Sequence, residues 1–209
     1  MKILVTAGPT REALDPVRFL SNRSSGRMGY AVAGVAQSRG HEVILVSGPV
    51  SLAAPDGVRV ERVVSAADML AAVERHVAWC DVLVMAAAVA DWRPAAVSAR
   101  KLKKTDGPAS IDLERTTDIL QAVRAAKGAR VFVGFAAETE DLLGEAGRKL
   151  AAKGLDMIVA NDVSRADAGF EVENNRVTIL TPGGAPEELP LMAKRDVAQT
   201  LLSRLEDLR

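Results

Sequence analysis

Residues 22–29 read Asn-Arg-Ser-Ser-Gly-Arg-Met-Gly and stand at the start of a predicted helix. An apolar run at 2–7 precedes them, followed by a polar loop that contains Pro9 and Pro16. The order strand, loop and helix predicts the first unit of an α/β sheet. A turn rich in serine and glycine presents backbone N–H groups, and a helix N-terminus adds roughly half a positive charge. The segment therefore predicts a site for a phosphate or a carboxylate.

The rest of the chain continues this alternation of strands and helices. The residue patterns predict strands at 41–46, 58–64, 81–90, 130–135 and 156–160, a hairpin at 176–189, and helices at 26–39, 65–78, 118–126, 139–153 and 193–208. Such an order favours an α/β fold with a Rossmann-like, doubly wound, mostly parallel sheet that ends in a β-hairpin and a helix. We expect one domain over 1–209. Residues 9–23 and 92–112 are expected to be loops, the second of them mobile.

Composition limits the classes of function. Acidic and basic residues number 27 each, so no bulk charge attracts nucleic acid or a membrane surface. No apolar run approaches the ~18 residues of a membrane span, and no signal peptide is apparent. Cys80 is the single cysteine, which excludes an internal disulfide and fits a reducing cytoplasm. We expect a cytoplasmic protein in which Cys80 is a small buried residue.

A nicotinamide-dependent oxidoreductase is one alternative, and the sequence opposes it at three places. Its fingerprint G-x-G-x-x-G should follow the first strand, but Gly8 is followed by proline and the next glycine is Gly26. The second strand closes on Ser47 instead of an acidic residue that would bind ribose hydroxyls. Tyr30, the single tyrosine, has no lysine four residues on. A non-catalytic nucleotide-binding module is the other alternative.

Residues 86–104 predict a second part of the site. The alanines at 86–88 follow a strand and would let a ligand approach the backbone closely. Asp91 could accept hydrogen bonds from hydroxyls or hold a hydrated magnesium ion. Lys101, Lys103 and Lys104 form a cluster that suits the triphosphate of a nucleotide.

Two further segments carry candidate residues whose roles stay open. Phe135 leaves a strand and could stack on a base or pack in the core. Lys149 and Lys153 lie one helical turn apart and could reach a phosphate or stabilise the helix end. Glu138 and Glu140 are expected to be residues of that helix's N-terminus.

Asn161 and Asp162 end a strand, at a position where residues often contact ligands, and the ENN segment at 173–175 is a candidate for the same part of the site.

Eight segments in order resemble phosphopantothenate–cysteine ligase, also called phosphopantothenoylcysteine synthetase, in its bacterial CTP-dependent form. They are TAGPTRE (6–12), LDPVRFLSNRSSGRMG (14–29), VSGPVSL (46–52), AAAVADWRP (86–94), KLKK (101–104), VGFAAET (133–139), KGLDMIVANDVS (153–164) and ENNRVTIL (173–180). Together they span nearly the whole chain, which is far more specific than any single glycine pattern.

The resemblance implies a two-step ligation in coenzyme A synthesis. The carboxylate of phosphopantothenate attacks the α-phosphate of CTP, pyrophosphate leaves, and the amine of cysteine then displaces CMP from the acyl-cytidylate. It also implies magnesium and a homodimer, for which the loop near Arg18 and the 177–189 hairpin are candidate interfaces. In many bacteria this domain is fused behind a flavin-dependent decarboxylase, so we expect either a free-standing enzyme or an excised domain.

The resemblance also assigns site residues and leaves the metal ligands open. Asn22 falls on the asparagine that binds the pantothenate portion and helps the acyl-nucleotide react onward, and Lys101 falls on the lysine of a flexible flap (95–110) over the triphosphate; these two are the expected catalytic residues. The expected substrate-binding residues are Arg18, Ser24, Ser25, Gly26, Ala87 and Ala88. The expected nucleotide-binding residues are Ala86, Ala87, Asp91, Lys101, Thr117, Asp118, Ile119, Leu120, Phe135, Lys149 and Lys153.

Overall fold

The computed structural model describes residues 1–103, 110–138, 140–162 and 174–208. The strands in this part of the chain are β1 (Lys2–Ala7), β2 (Arg11–Ala13), β3 (Phe19–Ser21), β4 (Glu42–Ser47), β5 (Arg59–Arg62), β6 (Val82–Met85), β7 (Trp92–Pro94), β8 (Leu113–Arg115), β9 (Val131–Glu138), β10 (Met157–Asp162), β11 (Asn174–Asn175), β12 (Val177–Leu180), β13 (Glu187–Glu188) and β14 (Met192–Ala193). The helices are α1 (Arg27–Ser38), α2 (Ala66–Val77), α3 (Ile119–Ala122), α4 (Leu142–Lys153) and α5 (Lys194–Asp207), with a 3-10 turn at Arg124–Ala126.

Eight of the described strands form one sheet in the order β13-β12-β10-β9-β6-β1-β4-β5. The six from β10 to β5 are parallel, and the β12–β13 hairpin adds two antiparallel strands at one edge. The strand order reverses between β1 and β6, which lie side by side. In open α/β sheets, the carboxyl ends of the strands at such a reversal form a crevice for ligands.

Helices cover both faces of the sheet. Helices α1 and α5 pack on one face, where their apolar side chains meet residues such as Val5 and Val133. Helices α2, α3 and α4 pack on the other face, against residues such as Leu4 and Phe132. Alternate residues of each strand contribute side chains to the two cores, because successive side chains of a strand point to opposite faces. The structure thus confirms the doubly wound, mostly parallel sheet with its terminal hairpin and helix.

The structure confirms the strand predicted at 58–64 and the burial predicted for Cys80. Residues 58–64 contain β5 at the sheet edge, and Ser65 caps α2, with its hydroxyl accepting from Asp68 N at 3.1 Å. Cys80 is buried, and that burial raises the pKa of its thiol to about 11. Among the described residues, no helix is long and apolar enough to cross a membrane.

Two segments expected to be loops contain short strands. Residues 9–23 hold the antiparallel pair β2–β3, and the segment predicted as patternless at 92–112 begins with β7, which pairs with β8. Each strand has three residues, too few to show a periodicity, and the β7–β8 pairing joins Trp92 to Arg115 across a long separation. Residues 104–109 of this segment, which include Lys104, lie outside the described residues.

The boundary between β9 and α4 also differs from prediction. The strand continues beyond residue 135 as far as Glu138, and α4 begins at Leu142. Glu138 is therefore a strand residue, not a residue of the helix N-terminus. The extension follows from parallel pairing with β10, which runs through Asp162 opposite Glu138. The predicted helix start at Thr139 lies outside the described residues.

Helix α1 approaches β1 closely at Gly29. A Cβ atom at Gly29 would lie 2.5 Å from Cβ of Ala7 and 2.8 Å from the carbonyl oxygen of Thr6. Real Cβ atoms do not approach other atoms this closely, so only glycine permits the contact without movement. The first turn of α1 is thereby held against the carboxyl end of β1.

We expect Gly29→Ala to lower the free energy of unfolding by about 1–3 kcal/mol, because the added methyl group overpacks the α1–β1 contact. Gly34→Ala, in the same helix, is the matched control. A Cβ there would meet only Pro55 at 3.6 Å, so the substitution should stabilise by about 0.5–1 kcal/mol. Urea unfolding of both variants measures the difference, and equal stability of the two would contradict the close contact.

Candidate active site

A cavity of about 860 Å³ opens at the carboxyl edge of the sheet, where β1 and β6 meet. The segments that follow β1, β6, β9 and β10 contribute to its walls. The described residues that line it are Asn22, Arg23, Ser24, Ser25, Gly26, Arg27, Met28, Met85, Ala86, Ala87, Ala88, Val89, Asp91, Trp92, Arg115, Thr116, Thr117, Asp118, Ile119, Leu120, Phe135, Ala136, Ala137, Lys149, Lys153, Asn161, Asn175 and Lys194. Most of the residues predicted for the site are therefore brought together.

The N-terminus of α1 forms one wall. Gly26 occupies the N-cap position with φ of 78°, a left-handed conformation that glycine adopts without strain, and no side chain caps the helix. Ser24 accepts a hydrogen bond from Gly26 N at 3.3 Å. This wall has the backbone geometry that the sequence predicted for an anion site at a helix N-terminus.

Asn22 joins the α1 wall to the alanine segment. Its side-chain Nδ2 donates to the carbonyl oxygens of Ala88 and Val89, each at 3.1 Å. Two threonines fix the same segment from below, since Thr6 Oγ1 accepts from Ala87 N at 3.2 Å and Thr10 Oγ1 accepts from Ala90 N at 2.9 Å. The alanine backbone is therefore rigidly placed.

Helices α3 and α4 form the opposite wall with two ion pairs. Lys149 Nζ lies 2.5 Å from Glu138 Oε1, and Lys153 Nζ lies 3.0 Å from Asp118 Oδ2. Asp118 also caps α3 by accepting from Gln121 N at 3.2 Å. Both lysines thus line the cavity while each contacts a carboxylate.

The core packing predicted for Phe135 is confirmed, whereas stacking on a base stays a prediction. It is partly buried, packs against the core beneath α1 and α5, and lines the cavity. Core packing fixes the ring at the cavity surface.

Asn161, Asn175 and Lys194 form a buried polar wall that the assigned site residues did not include. The exposed fractions of these residues are 8%, 4% and 6%. Within the described part of the chain, the Oδ1 atoms of both asparagines are buried without a hydrogen-bond partner. Leaving a buried acceptor unpaired costs about 1–3 kcal/mol, so such atoms are uncommon in folded proteins. The strand-end position of Asn161 and the ENN segment at 173–175 were the available signals, whereas Lys194 comes from a distant segment that gave none.

The cavity is positively charged although the whole chain is neutral. Among the described lining residues, the basic ones are Arg23, Arg27, Arg115, Lys149, Lys153 and Lys194, and the acidic ones are Asp91 and Asp118. Six basic and two acidic side chains therefore share the cavity. A concave surface with this excess attracts anionic ligands.

Trp92 and Arg115 were also missed. The Arg115 guanidinium lies 5.2 Å from the centre of the Trp92 ring, and both residues line the cavity. Their pairing depends on the β7–β8 hairpin, which the sequence did not predict. The segment at 46–52, one of the eight that resemble the family, is not among the lining residues of this cavity. Pro49 borders a smaller cleft near Phe19.

Two predicted residues, Arg18 and Lys101, are not among the lining residues. Arg18 donates to Asp15 Oδ2 from Nε at 3.0 Å and from Nη2 at 2.5 Å, and to the carbonyl oxygen of Leu102 at 3.0 Å. Asp15 in turn accepts from Leu102 N at 3.1 Å. Lys101 is exposed and immediately precedes this anchored residue. Arg18 therefore attaches the lysine-bearing segment to the 14–18 loop in this structure.

Hydrogen bonds from Arg18 hold the pKa of Asp15 well below its usual range, and backbone donors at Val17, Leu102 and Arg18 act in the same direction against the opposing effect of burial. The carboxylate is fully ionised at neutral pH. It joins the 14–18 loop to the base of the lysine-bearing segment.

The position expected to bind ribose in an oxidoreductase is closed. Ser47 at the end of β4 is buried, and its hydroxyl lies 3.0 Å from the hydroxyl of Tyr30. Ser47 also donates to the carbonyl oxygen of Gly48 at 2.9 Å. These contacts keep both hydroxyl groups inside the core.

Comparison with known proteins agrees with this geometry. Residues 1–208 match the family described as DNA/pantothenate metabolism flavoprotein C-terminal domain. The chain belongs to this family. The match confirms the family resemblance that the eight sequence segments indicated.

Individual members of the family are similar over almost the whole chain. The coenzyme A biosynthesis bifunctional protein CoaBC of Bacillus subtilis (strain 168) is 49% identical over 204 residues, which are 97% of this chain and 50% of that protein. The crystal structure of the C-terminal domain of CoaBC is 45% identical, with a TM-score of 0.85, covering 99% of this chain and 94% of that one. The DNA/pantothenate metabolism flavoprotein from Streptococcus pneumoniae is 24% identical with a TM-score of 0.86 over 100% of both chains, which supports the fold alone.

The chain spans about half the length of the curated CoaBC relatives it matches.

We expect Asp15→Asn to lower the free energy of unfolding at pH 7, because the amide cannot replace the ionised acceptor of Arg18 and Leu102. A carboxyl group with a depressed pKa stabilises the fold above its unfolded pKa of about 4, and this stabilisation is lost as the pH falls below that value. The difference between wild type and variant should therefore stay constant from pH 7 to about pH 5 and shrink below about pH 4. Urea unfolding across this range measures it, and a difference that grows on acidification would contradict the assignment.

Proposed function

We propose that this chain ligates phosphopantothenate to L-cysteine with CTP, through an acyl-cytidylate, giving phosphopantothenoylcysteine, CMP and pyrophosphate. Its similarity to the C-terminal domain of CoaBC, 45% identical over 94% of that chain, supports the proposal. The relatives are named bifunctional and are about twice as long. We therefore also expect the ligase to be associated in nature with a second activity, a flavin-dependent decarboxylase.

The observation that carries the proposal is a single basic cavity shared by two walls. The α1 N-terminus and the α3–α4 wall face one space of about 860 Å³, near the upper end of the ~300–1,000 Å³ range of small-molecule sites. A nucleotide and a second anionic substrate can occupy such a space together. Its excess of basic side chains offsets the charges that both substrates carry.

The first step needs alignment and charge neutralisation. A carboxylate oxygen of phosphopantothenate forms a bond to the α-phosphorus of CTP, and the bond from that phosphorus to the bridging oxygen breaks with its electron pair on pyrophosphate. Backbone N–H groups at the start of α1 and the basic side chains stabilise the anions involved. No cysteine or histidine is among the described lining residues, and none is required, since the nucleotide supplies the leaving group.

The walls suggest which substrate lies where. The residues at 24–26 and the backbone of Ala87 and Ala88 are assigned to phosphopantothenate, with Asn22 aligning the acyl intermediate because it connects these two segments. The nucleotide is assigned to residues 117–120, Lys149 and Lys153. Phe135 is assigned to the cytosine base of the nucleotide. Ala86 and Asp91 complete the nucleotide assignment.

The residues present fit a magnesium ion held mainly by phosphates. The described part of the chain contains no cluster of three His, Cys, Asp or Glu residues that could hold a metal. Magnesium at nucleotide sites commonly takes one or two carboxylates, several waters and substrate phosphates. Asp118 already binds Lys153, which leaves the exposed Asp91 as the carboxylate that would hold the ion. The ion would supply positive charge to the departing pyrophosphate.

A product assay with each nucleoside triphosphate in turn tests the proposed function. We expect pyrophosphate and phosphopantothenoylcysteine with CTP, magnesium, phosphopantothenate and cysteine together, and thermal stabilisation by CTP with magnesium. Stabilisation by NAD without a response to CTP would favour an oxidoreductase. Binding of CTP without any product would indicate a nucleotide-binding module.

We expect Lys101→Gln to reduce pyrophosphate release by about tenfold or more, because the flap lysine would neutralise the triphosphate. Lys101 is exposed, so the fold should be unchanged in circular dichroism and thermal unfolding. Arg100→Gln, exposed immediately before Lys101, is the matched control and should retain near-wild-type turnover. Equal turnover of the two variants would show that the role assigned to Lys101 is wrong.

We also propose that the chain forms a homodimer through a surface on the β2–β3 and β7–β8 hairpins, here called the hairpin surface. The two hairpins are connected, since Ser98 N donates to the carbonyl oxygen of Leu14 at 3.0 Å. The exposed apolar residues of this surface are Val17, Phe19, Trp92, Val97, Leu102, Ile111 and Leu113. Exposed apolar groups at this density are typical of a protein interface. The 177–189 hairpin is a poorer candidate, because Val177, Ile179 and Leu189 are buried in the core.

A Phe19→Ser, Val97→Ser double variant should sediment as a monomer at concentrations where the wild type is a dimer, because both side chains lose apolar contact area. Leu143→Ser removes an exposed leucine on α4 and should leave the dimer intact. Analytical ultracentrifugation measures all three. A monomeric wild type, or a double variant that remains dimeric, would contradict the interface.

A further inference from the structure

Two buried asparagine oxygens lie together on one wall of the cavity. Asn161 pairs directly with Val177 in the β10–β12 ladder, and Asn175 lies two residues before Val177. Asn161 lies on the face covered by α1 and α5, because its ladder partner Val177 packs in that core. Asn175 lies in β11, which pairs with β14, and both asparagines line the same cavity. Their Oδ1 atoms have no hydrogen-bond partner in the part of the chain that the structure describes.

The chemistry of these atoms limits the kind of ligand group that they can bind. An amide oxygen only accepts hydrogen bonds, so a pair of unpaired Oδ1 atoms suits N–H or O–H donors and not a phosphate or carboxylate oxygen. Lys194 lies on the same wall and adds positive charge. Acceptors beside a cation match the amine and the carboxylate of an α-amino acid.

We propose that Asn161 and Asn175 form the subsite that binds the amine of the incoming amino acid and directs it to the acyl-cytidylate. This inference rests on the proposed ligase function. Except for Phe135, the nucleotide is assigned to the wall formed by α3 and α4, which cover the opposite face of the sheet. The asparagine wall adjoins the α1 side, where the acyl group is placed.

The amine enters as an ammonium ion with three N–H donors and releases one proton to water. The two remaining N–H groups donate to the asparagine oxygens, which orients the nitrogen lone pair toward the acyl carbon. A C–N bond forms, the C–O bond to cytidylate breaks with its electron pair on CMP, and the second proton passes to water. The asparagines position the nucleophile and do not act as bases, since an amide does not take up a proton near neutral pH.

The two steps of the reaction separate this role from a structural one. Asn161→Ala and Asn175→Ala should each raise the KM for cysteine by about tenfold, as expected for one lost hydrogen bond to an amine. The KM values for CTP and phosphopantothenate should stay near those of the wild type. Without cysteine, hydroxylamine should trap the acyl-cytidylate as a hydroxamate at the wild-type rate, because this small nucleophile does not need the subsite.

Asn174→Ala is the matched control, since Asn174 is the exposed neighbour of Asn175 and should leave every constant unchanged. Asn175→Ser and Asn161→Ser retain an oxygen acceptor and should recover part of the cysteine affinity. An unchanged KM for cysteine, a raised KM for CTP or phosphopantothenate instead, or an equal loss of hydroxamate and ligation would overturn the inference. Absence of pyrophosphate and hydroxamate from the wild type would refute the proposed function.

Discussion

The contact between helix α1 and strand β1 at Gly29 fixes the geometry on which the cavity depends. Because no Cβ intervenes, the first turn of α1 lies against Ala7 and Thr6 at the carboxyl end of β1. This places Gly26 and Ser24 beside the alanine segment that follows β6, and Asn22 bonds the two. The reversal of strand order between β1 and β6 supplies the crevice, and the glycine contact determines which backbone groups line it.

Charge is distributed within the fold in a way that composition hides. The chain is neutral in total, yet the basic side chains exceed the acidic ones around the cavity among the described residues. Lys149 and Lys153 each contact a carboxylate, so they are held in place without a ligand. Preorganised charges of this kind need little rearrangement when an anion arrives or when negative charge moves to a leaving group.

The parts of the fold that the sequence predicted are those with a local cause. Strands such as β1 and β4 are continuous apolar runs, α2 begins at a capping box, and α1 follows a glycine turn. The α1 and alanine walls were predicted for the same reason, since each is one continuous segment. The Trp92–Arg115 pair and the position of Lys194 beside Asn161 and Asn175 join segments distant in sequence, and no local pattern predicts such pairings. Arg18 was predicted for the site but is not among the lining residues of the cavity, and its guanidinium donates to Asp15.

We propose that the α1 wall and the α3–α4 wall hold one acyl phosphate between them. We further propose that the α1 N-terminus and the alanine backbone bind the acyl side and that the α3–α4 wall binds the nucleotide. A crystal structure of the protein with CTP, magnesium and phosphopantothenate, prepared without cysteine, tests this arrangement most directly. We expect an acyl-cytidylate whose phosphate lies between Gly26 and Ala87, with the cytidine toward Lys149 and Lys153. A ligand bound away from both walls would contradict it.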